Sequence, residues 1–269
     1  MLAVLLLAGC GGPAAGPSAE TSLILATTTS TQDSGLLDEL LPAFTAATGW
    51  QVKTVAVGSG QAIELGRRGE ADVLLVHSPA TEQKFVAEGA TGRRLLVMHN
   101  DFVLVGPKSD PAAIRGVAPT EAMARTARSG VPFVSRGDDS GTNAREDQLW
   151  AAAGIRPTGQ WYQETGQGMG ATLRVADEHG GYTLSDRATW LSQPGSLVVL
   201  NEGDRQLLNV YHVIEMTTHA GDRMQPDGAV AFADWIVGAP AQQMIGEFGR
   251  AKLGQQLFVP DAGKPEPTG

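Results

Sequence analysis

Apolar and polar positions alternate along the first third of the chain in a strand–helix rhythm. Leu23-Ile24-Leu25-Ala26 is a short apolar run that stops at Thr27-Thr28-Thr29-Ser30, as a buried strand does. Leu36, Leu37, Leu40, Leu41 and Phe44 then recur at helical spacing, with Asp33 or Ser34 as the expected cap. Residues 52–57 are β-rich and end at Gly58-Ser59-Gly60, and a helix over 61–68 and a strand over 71–76 are expected next. Phe102-Val103-Leu104-Val105 reads as a further strand, broken by Gly106-Pro107. Beyond it the pattern predicts a helix near 120–128, a strand at 133–135, a polar loop, a helix near 144–153, and strands at 182–184 and 197–200. Residues 207–214 form a long extended run able to return the chain to the first unit. The stretch 229–258 reads as two helices, with Phe232, Trp235 and Ile236 on one face and Met244, Ile245 and Phe248 on another. The whole predicts an α/β protein of two units with a mostly parallel sheet, joined by extended segments near 103–107 and 208–213. A cleft would lie between the units. The polar loops at 27–30, 58–60, 77–79 and 135–142 each follow a strand, the place where open α/β sheets hold ligands.

Composition narrows the class. With 42% hydrophobic and 18% charged residues the chain is globular, and its 269 residues allow about two compact units. Lys and Arg total 20 against 29 Asp and Glu, a net charge of −9, which argues against a nucleic-acid partner. A small anion stays possible, because donors and dipoles act at contact range while salt screens the overall field. Residues 1–9 are almost wholly apolar and lead into Leu7-Ala8-Gly9-Cys10, followed by a Gly-, Pro- and Ser-rich stretch. That run is too short to span a bilayer and fits a signal-peptide core. Leu-Ala-Gly-Cys resembles the bacterial lipobox, which implies a lipid on Cys10 and a membrane-anchored, extracytoplasmic protein. Cys10 is the sole cysteine, so an intramolecular disulfide is excluded. No Lys or Arg precedes the run, so the true start is expected a few codons upstream. Residues 1–21 are thus expected to be a lipoprotein signal segment and flexible tether; the plainer alternative is a ragged apolar terminus with a stray cysteine.

Three motifs carry candidate chemistry. Thr27-Thr28-Thr29-Ser30 offers four hydroxyls just before a helix, suited to a small anion or merely to a turn and cap. Ser135-Arg136-Gly137-Asp138-Asp139-Ser140-Gly141-Thr142 packs a fixed cation, hydroxyls and glycines between a strand and a helix. Arg136 could equally pair with Asp138 or Asp139 in a solvated turn. Asn143 with Glu146 has capping-box spacing, with Ser140 as the competing cap. Gly166, Gly168 and Ala171 fit G-x-G-x-x-A, but the segment before them is a poor buried strand, so the match reads as a Gly-rich helix entry lining the cleft. No nucleophile elbow and no Walker A occur, and the histidines lack ligand spacing. His77 follows a strand and is expected to be a satisfied structural histidine near the cleft.

In order along the chain, Thr27–Ser30, Val55–Gly60, Asp72–Pro79, Asn100–Pro107, Ser135–Thr142, Gly166–Leu173 and Tyr182–Arg187 are similar to the tungstate-binding proteins of bacterial ABC importers. The resemblance covers roughly residues 22–260. It implies a type II periplasmic-binding-protein fold of two α/β lobes, two crossover strands and an interlobe cleft, with no catalysis and no cofactor. On it, lobe one is expected at 22–105 plus 212–269 and lobe two at 106–211. The binding loops carry over to Thr28, Thr29, Ser30, Ser59 and Gly60 from the first lobe, and to Arg136, Ser140, Gly141 and Thr142 from the second. The family usually has His after Ser-Gly-Thr, where this chain has Asn143. The expected ligand is tungstate, with molybdate as a near variant and phosphate or sulfate as further ones; the expected partner is an ABC permease, and the expected state is a monomer. If Asp138 and Asp139 bind Arg136 or the loop backbone, the site offers donors only, as a proton-free dianion requires. If either faces the ligand, hydrogen phosphate becomes preferable. A ligand-sensing domain or an enzyme on the same fold is the alternative of another class.

Overall fold

The computed structural model describes residues 22–193, 195–217 and 223–267, so Cys10 and the segment 1–21 lie outside the described residues. The chain opens with β1 (Ser22–Thr28), a single turn α1 (Thr29–Asp33), α2 (Leu36–Thr48), β2 (Gln51–Val57), α3 (Ser59–Arg67), β3 (Val73–Val76) and α4 (Pro79–Val86). A sixteen-residue strand β4 (Thr91–Gly106) leads to α5 (Pro119–Ser129), β5 (Phe133–Ser135), α6 (Gly141–Ala152), β6 (Tyr162–Glu164), α7 (Met169–Glu178), β7 (Thr183–Asp186), α8 (Arg187–Ser192) and β8 (Val198–Asn201). Then β9 (Leu208–Met216) returns, followed by α9 (Pro226–Ile236), α10 (Ala239–Glu247), α11 (Arg250–Leu253) and β10 (Val259–Pro260).

Period-two alternation places the core. On β1, β3 and β9 the residues Leu23, Leu25, Val73, Leu75, Tyr211 and Val213 face α2, α9 and α10, whose Leu40, Phe44, Phe232 and Ile245 complete one hydrophobic body. The alternate residues Ala26, Leu74, Val76, Ile214 and Met216 join Ile63 of α3 and Phe85 of α4 on the other face. The end of β4 divides likewise: Phe102 and Leu104 pack with Phe133, Trp150 and Tyr182, while Val103 and Val105 pack with Val134, Met169 and Leu173. Each half is therefore a sheet covered on both faces, and the protein is a mixed α/β, two-lobed molecule.

The sheet departs from the mostly parallel expectation. Among the described strands, parallel pairing joins β1 with β2 and β3, and β5 with β6, and a single parallel bridge ties Phe133 to Tyr182. The long strands pair antiparallel: β9 with β3 and β4, and β4 with β7, β8 and β10. The cause is that β9 comes back alongside the first part of β4, and a chain that runs out and back along one path pairs with itself in opposite directions. Along β4, Thr91 to Asp101 face β9, and Phe102 to Gly106 face β7 and β8.

The cap expected at Asp33 or Ser34 is Gly35 (φ 81°), because residues 29–33 already form their own turn; Ser34 Oγ still accepts from Leu36 N–H at 3.2 Å. Gly49 (φ 80°) closes α2 at its other end, in the left-handed conformation glycine adopts freely.

Candidate functional site

Loops of the two halves meet at the carboxyl ends of β1 and β5. Thr28 ends β1 and caps α1, accepting from Thr31 N–H at 3.2 Å. Thr29 and Ser30 begin that turn, and Thr28 and Ser30 are buried. Gly58 leads into α3, whose first residues are Ser59 and Gly60. From the other half, β5 delivers a fully buried Arg136, and Ser140 caps α6 by accepting from Asn143 N–H at 3.2 Å. Gly141 and Thr142 are that helix's first two residues, both buried. Ser140 is thus the cap in place of Asn143. Glu146 does not close a capping box; it turns inward to accept from Trp150 Nε1 (3.0 Å) and Tyr162 O–H (2.9 Å).

The halves touch through specific atoms. Arg136 Nη2 donates to Thr29 Oγ1 at 3.0 Å. A Cβ at Gly58 would lie 3.2 Å from Asp138 O and 3.3 Å from Ser140 Cα, and one at Gly60 would lie 3.3 Å from Asp139 O. Only a backbone without side chains brings the start of α3 this near the start of α6. Gly168, the cap of α7, also borders Thr29, though less tightly: a Cβ there would lie 3.6 Å from Thr29 Oγ1, an ordinary contact, and the Gly-rich helix entry lies where it was expected. The N-termini of α3, α6 and α7, each carrying free N–H groups and a positive dipole end, therefore gather around the hydroxyls of 28–30.

Several buried donors in this region make no hydrogen bond among the described residues: Arg136 Nη1, Ser59 Oγ and Thr142 Oγ1. A buried polar group left unpaired costs about 1–3 kcal/mol, so three gathered together mark a place built for an acceptor. The acids are disposed accordingly. Asp138 accepts from Arg136 Nε at 3.1 Å with one oxygen and from Ser140 N–H at 3.3 Å with the other. Asp139 differs from expectation: it is exposed, at φ 55°, and borders an outer groove beside Gln61 and Arg68, while only its backbone N–H is tied, to Asn143 Oδ1 at 3.1 Å. Its carboxylate makes neither expected contact.

Two residues here were not singled out as site residues from sequence. His77 is buried, with Nε2 3.0 Å from Thr28 Oγ1, and its ring tilts against Tyr211 with centroids 4.7 Å apart. Burial, and next the Arg136 charge, push its pKa down to about 3, so the ring is neutral. Asp186 caps α8 by accepting from Thr189 N–H at 2.8 Å, and burial raises its pKa to about 6. Thr189 Oγ1 in turn reaches Ser30 O at 3.5 Å. The signal for His77 lies in space alone, since Thr28 stands 49 positions away. No group of His, Cys, Asp and Glu among the described residues is arranged to hold a metal cation.

Comparison with known proteins places the chain. A family model described as a PBP superfamily domain matches residues 13–240. The chain is 46% identical to the tungstate-binding protein TupA of Peptoclostridium acidaminophilum, over 98% of this chain and 96% of that protein. It superposes on the crystal structure of the tungstate ABC transporter from Geobacter sulfurreducens with a TM-score of 0.78 at 42% identity, covering 86% of this chain and 100% of that one. The tungstate-binding protein TupA from Desulfovibrio alaskensis G20 aligns with a TM-score of 0.74 at 41% identity, over 90% and 99% of the two chains.

Proposed function

The chain belongs to the PBP superfamily and, within it, to the family of the tungstate-binding proteins, and on that premise we propose that it captures tungstate outside the cytoplasm and delivers it to the permease of an ABC importer. The observation that carries the reading is the set of buried, unpaired donors Arg136 Nη1, Ser59 Oγ and Thr142 Oγ1 beside the 28–30 hydroxyls. Tungstate is a tetrahedral dianion without a proton, so it asks for donors on every side and for no acceptor. Thr28, Thr29, Ser30, Ser59 and Gly60 supply hydroxyls and N–H groups from one lobe; Arg136, Ser140, Gly141 and Thr142 supply the guanidinium and a helix N-terminus from the other. Each charge-assisted bond contributes about 1.5–3 kcal/mol. Asp138 neutralises part of the Arg136 charge, so the neutral donors and helix dipoles carry much of the hold, which fits a protein whose net charge is −9.

Hydrogen phosphate fits less well. Its proton needs an acceptor; both oxygens of Asp138 are engaged and Asp139 is exposed, which leaves the buried, unpaired Asp186 Oδ2 as the carboxylate oxygen that would have to take it. Molybdate, of nearly the same size and charge, suits the same donors. We take the protein to be a non-catalytic monomer of two lobes, divided as 22–105 plus 212–269 and 106–211, anchored by a lipid on Cys10. Among the described residues no helix is long and apolar enough to cross a membrane.

Calorimetric titration of the chain without residues 1–17 tests the function. Tungstate should bind one to one and tightly, sulfate and phosphate far more weakly, and Arg136→Ala should weaken tungstate about tenfold or more. Phosphate preference, or unchanged affinity in a folded Arg136→Ala protein, would overturn the assignment; binding of none of the three anions would favour a sensor or an enzyme.

A further inference from the structure

Behind the hydroxyl loop stands an imidazole with two unlike nitrogens. His77 Nε2 lies 3.0 Å from Thr28 Oγ1 and 3.4 Å from Ser30 Oγ, whereas Nδ1 is buried and makes no hydrogen bond among the described residues. Gly141 is packed against that second nitrogen so closely that a Cβ there would fall 2.6 Å from Nδ1. Asn209 borders the ring as well: its Nδ2 is given to Asn100 Oδ1 (2.8 Å) and Tyr211 Oη (3.0 Å), while its Oδ1 is buried and without a partner among the described residues. We propose that His77, as the neutral tautomer protonated on Nε2, is the positioning residue that turns the hydroxyl protons of the 28–31 loop toward the anion; the proposal rests on the anion site described above.

A count of protons decides between the tautomers. Thr28 Oγ1 has two lone pairs and one proton. Thr31 N–H fills the first lone pair at 3.2 Å. If His77 Nε2–H fills the second, Thr28 can only donate, to Thr31 Oγ1 at 2.6 Å or Ser30 Oγ at 3.1 Å. Neither the Ser30 nor the Thr31 hydroxyl proton is then drawn to Thr28 or to His77, and that of Ser30 is left for the anion. A bare Nε2 would instead take one hydroxyl proton, and the lone pair left on Thr28 would take another, so only one of the three would remain. The ring thus fixes the direction of hydroxyl groups that would otherwise satisfy one another, and it stays at the back of the site without touching the ion.

The test combines spectroscopy with binding. Nitrogen NMR of the histidine-labelled wild-type chain, free and saturated with tungstate between pH 6 and 8, should show Nε2 protonated and Nδ1 bare, the resonance being assigned by its loss in a His77 variant. In calorimetry, His77→Leu should weaken tungstate about tenfold. His77→Gln, whose amide nitrogen approximates Nε2, should recover most of the affinity, and His77→Asn, which reproduces only the Nδ1 position, should not. A ring protonated on Nδ1, or an imidazolium, overturns the proposal. So does wild-type affinity in a folded His77→Leu protein, or equal loss in the Gln and Leu variants. A wild-type chain that fails to bind tungstate would instead bring down the anion site itself, while the NMR spectrum would still report the tautomer.

Discussion

Glu146 shows how strongly one buried side chain can tie stability to pH in this protein. Burial raises its pKa to about 7 although Trp150 and Tyr162 both donate to it. Between its ordinary value of 4.5 and about 7 the folded chain holds a proton that the unfolded chain has lost, so this group's contribution falls as pH rises through that window. Glu146→Gln keeps an oxygen for both donors and gains an amide able to reach the nearby Ser135 hydroxyl. It should therefore match the wild type near pH 4.5 and exceed it by about 2–3 kcal/mol at pH 7.5. Thermal melts of both proteins across that range measure the gap, and a gap that does not change with pH would refute the account. The comparison cancels other titrations, including that of His77, whose lowered pKa makes its own contribution rise with pH from about 3 to 6.5. At this scale the sequence was informative where neighbours in space are neighbours in the chain: Arg136, Asp138 and Ser140 share one loop and their contacts could be anticipated. His77 was read as structural because its partners Thr28 and Ser30 come from another strand end.

Among the elements, the junction of α3 with α6 is the most sensitive to a small change. Gly58→Val should leave each lobe folded, since the crowding falls on Asp138 O and Ser140 Cα of the opposite lobe. The expected result is an unchanged melting temperature for the free protein with tungstate affinity reduced about tenfold or more, because closure is blocked while the fold is not. A melt and a titration on the same sample decide it, and full affinity would show that the contact is dispensable. The strands and helices that were legible are those with a clean period: β1, α2, β3 and β9 carry runs such as Leu23–Ala26 or the spaced Leu36, Leu40 and Phe44. The first part of β4 was not legible, because Arg93, Arg94, His99, Asn100 and Asp101 interrupt its apolar pattern. Those polar groups are matched from afar, Arg93 by Glu215, Arg94 by Glu82, His99 by Asp261 and Asp101 by Arg187. The helix α4 was missed too, with Phe85 as its one large core residue. The turn α1 hid among the hydroxyls that suggested a loop.

Across the whole molecule, two lobes share strands and meet at a cleft, so ligand binding should alter shape. Small-angle scattering should give a smaller radius of gyration with saturating tungstate than without it. An unchanged radius alongside calorimetric binding would mean that the lobes are already closed in solution. The lobes are linked by β4 and β9, which pair with each other over most of the first lobe and then, through Phe102 to Gly106, carry β4 into the second. Such a link bends more readily than it slides, which favours a hinge over a shear. The touching backbones at Gly58 and Ser140 have a consequence for timing. An ion enclosed behind them leaves only when the two helix starts part, so its residence time is the lifetime of the closed form. A transporter that receives the ion would then control delivery by prying the lobes apart, and the rate of release would be set at its docking surface, away from the atoms that hold the ion.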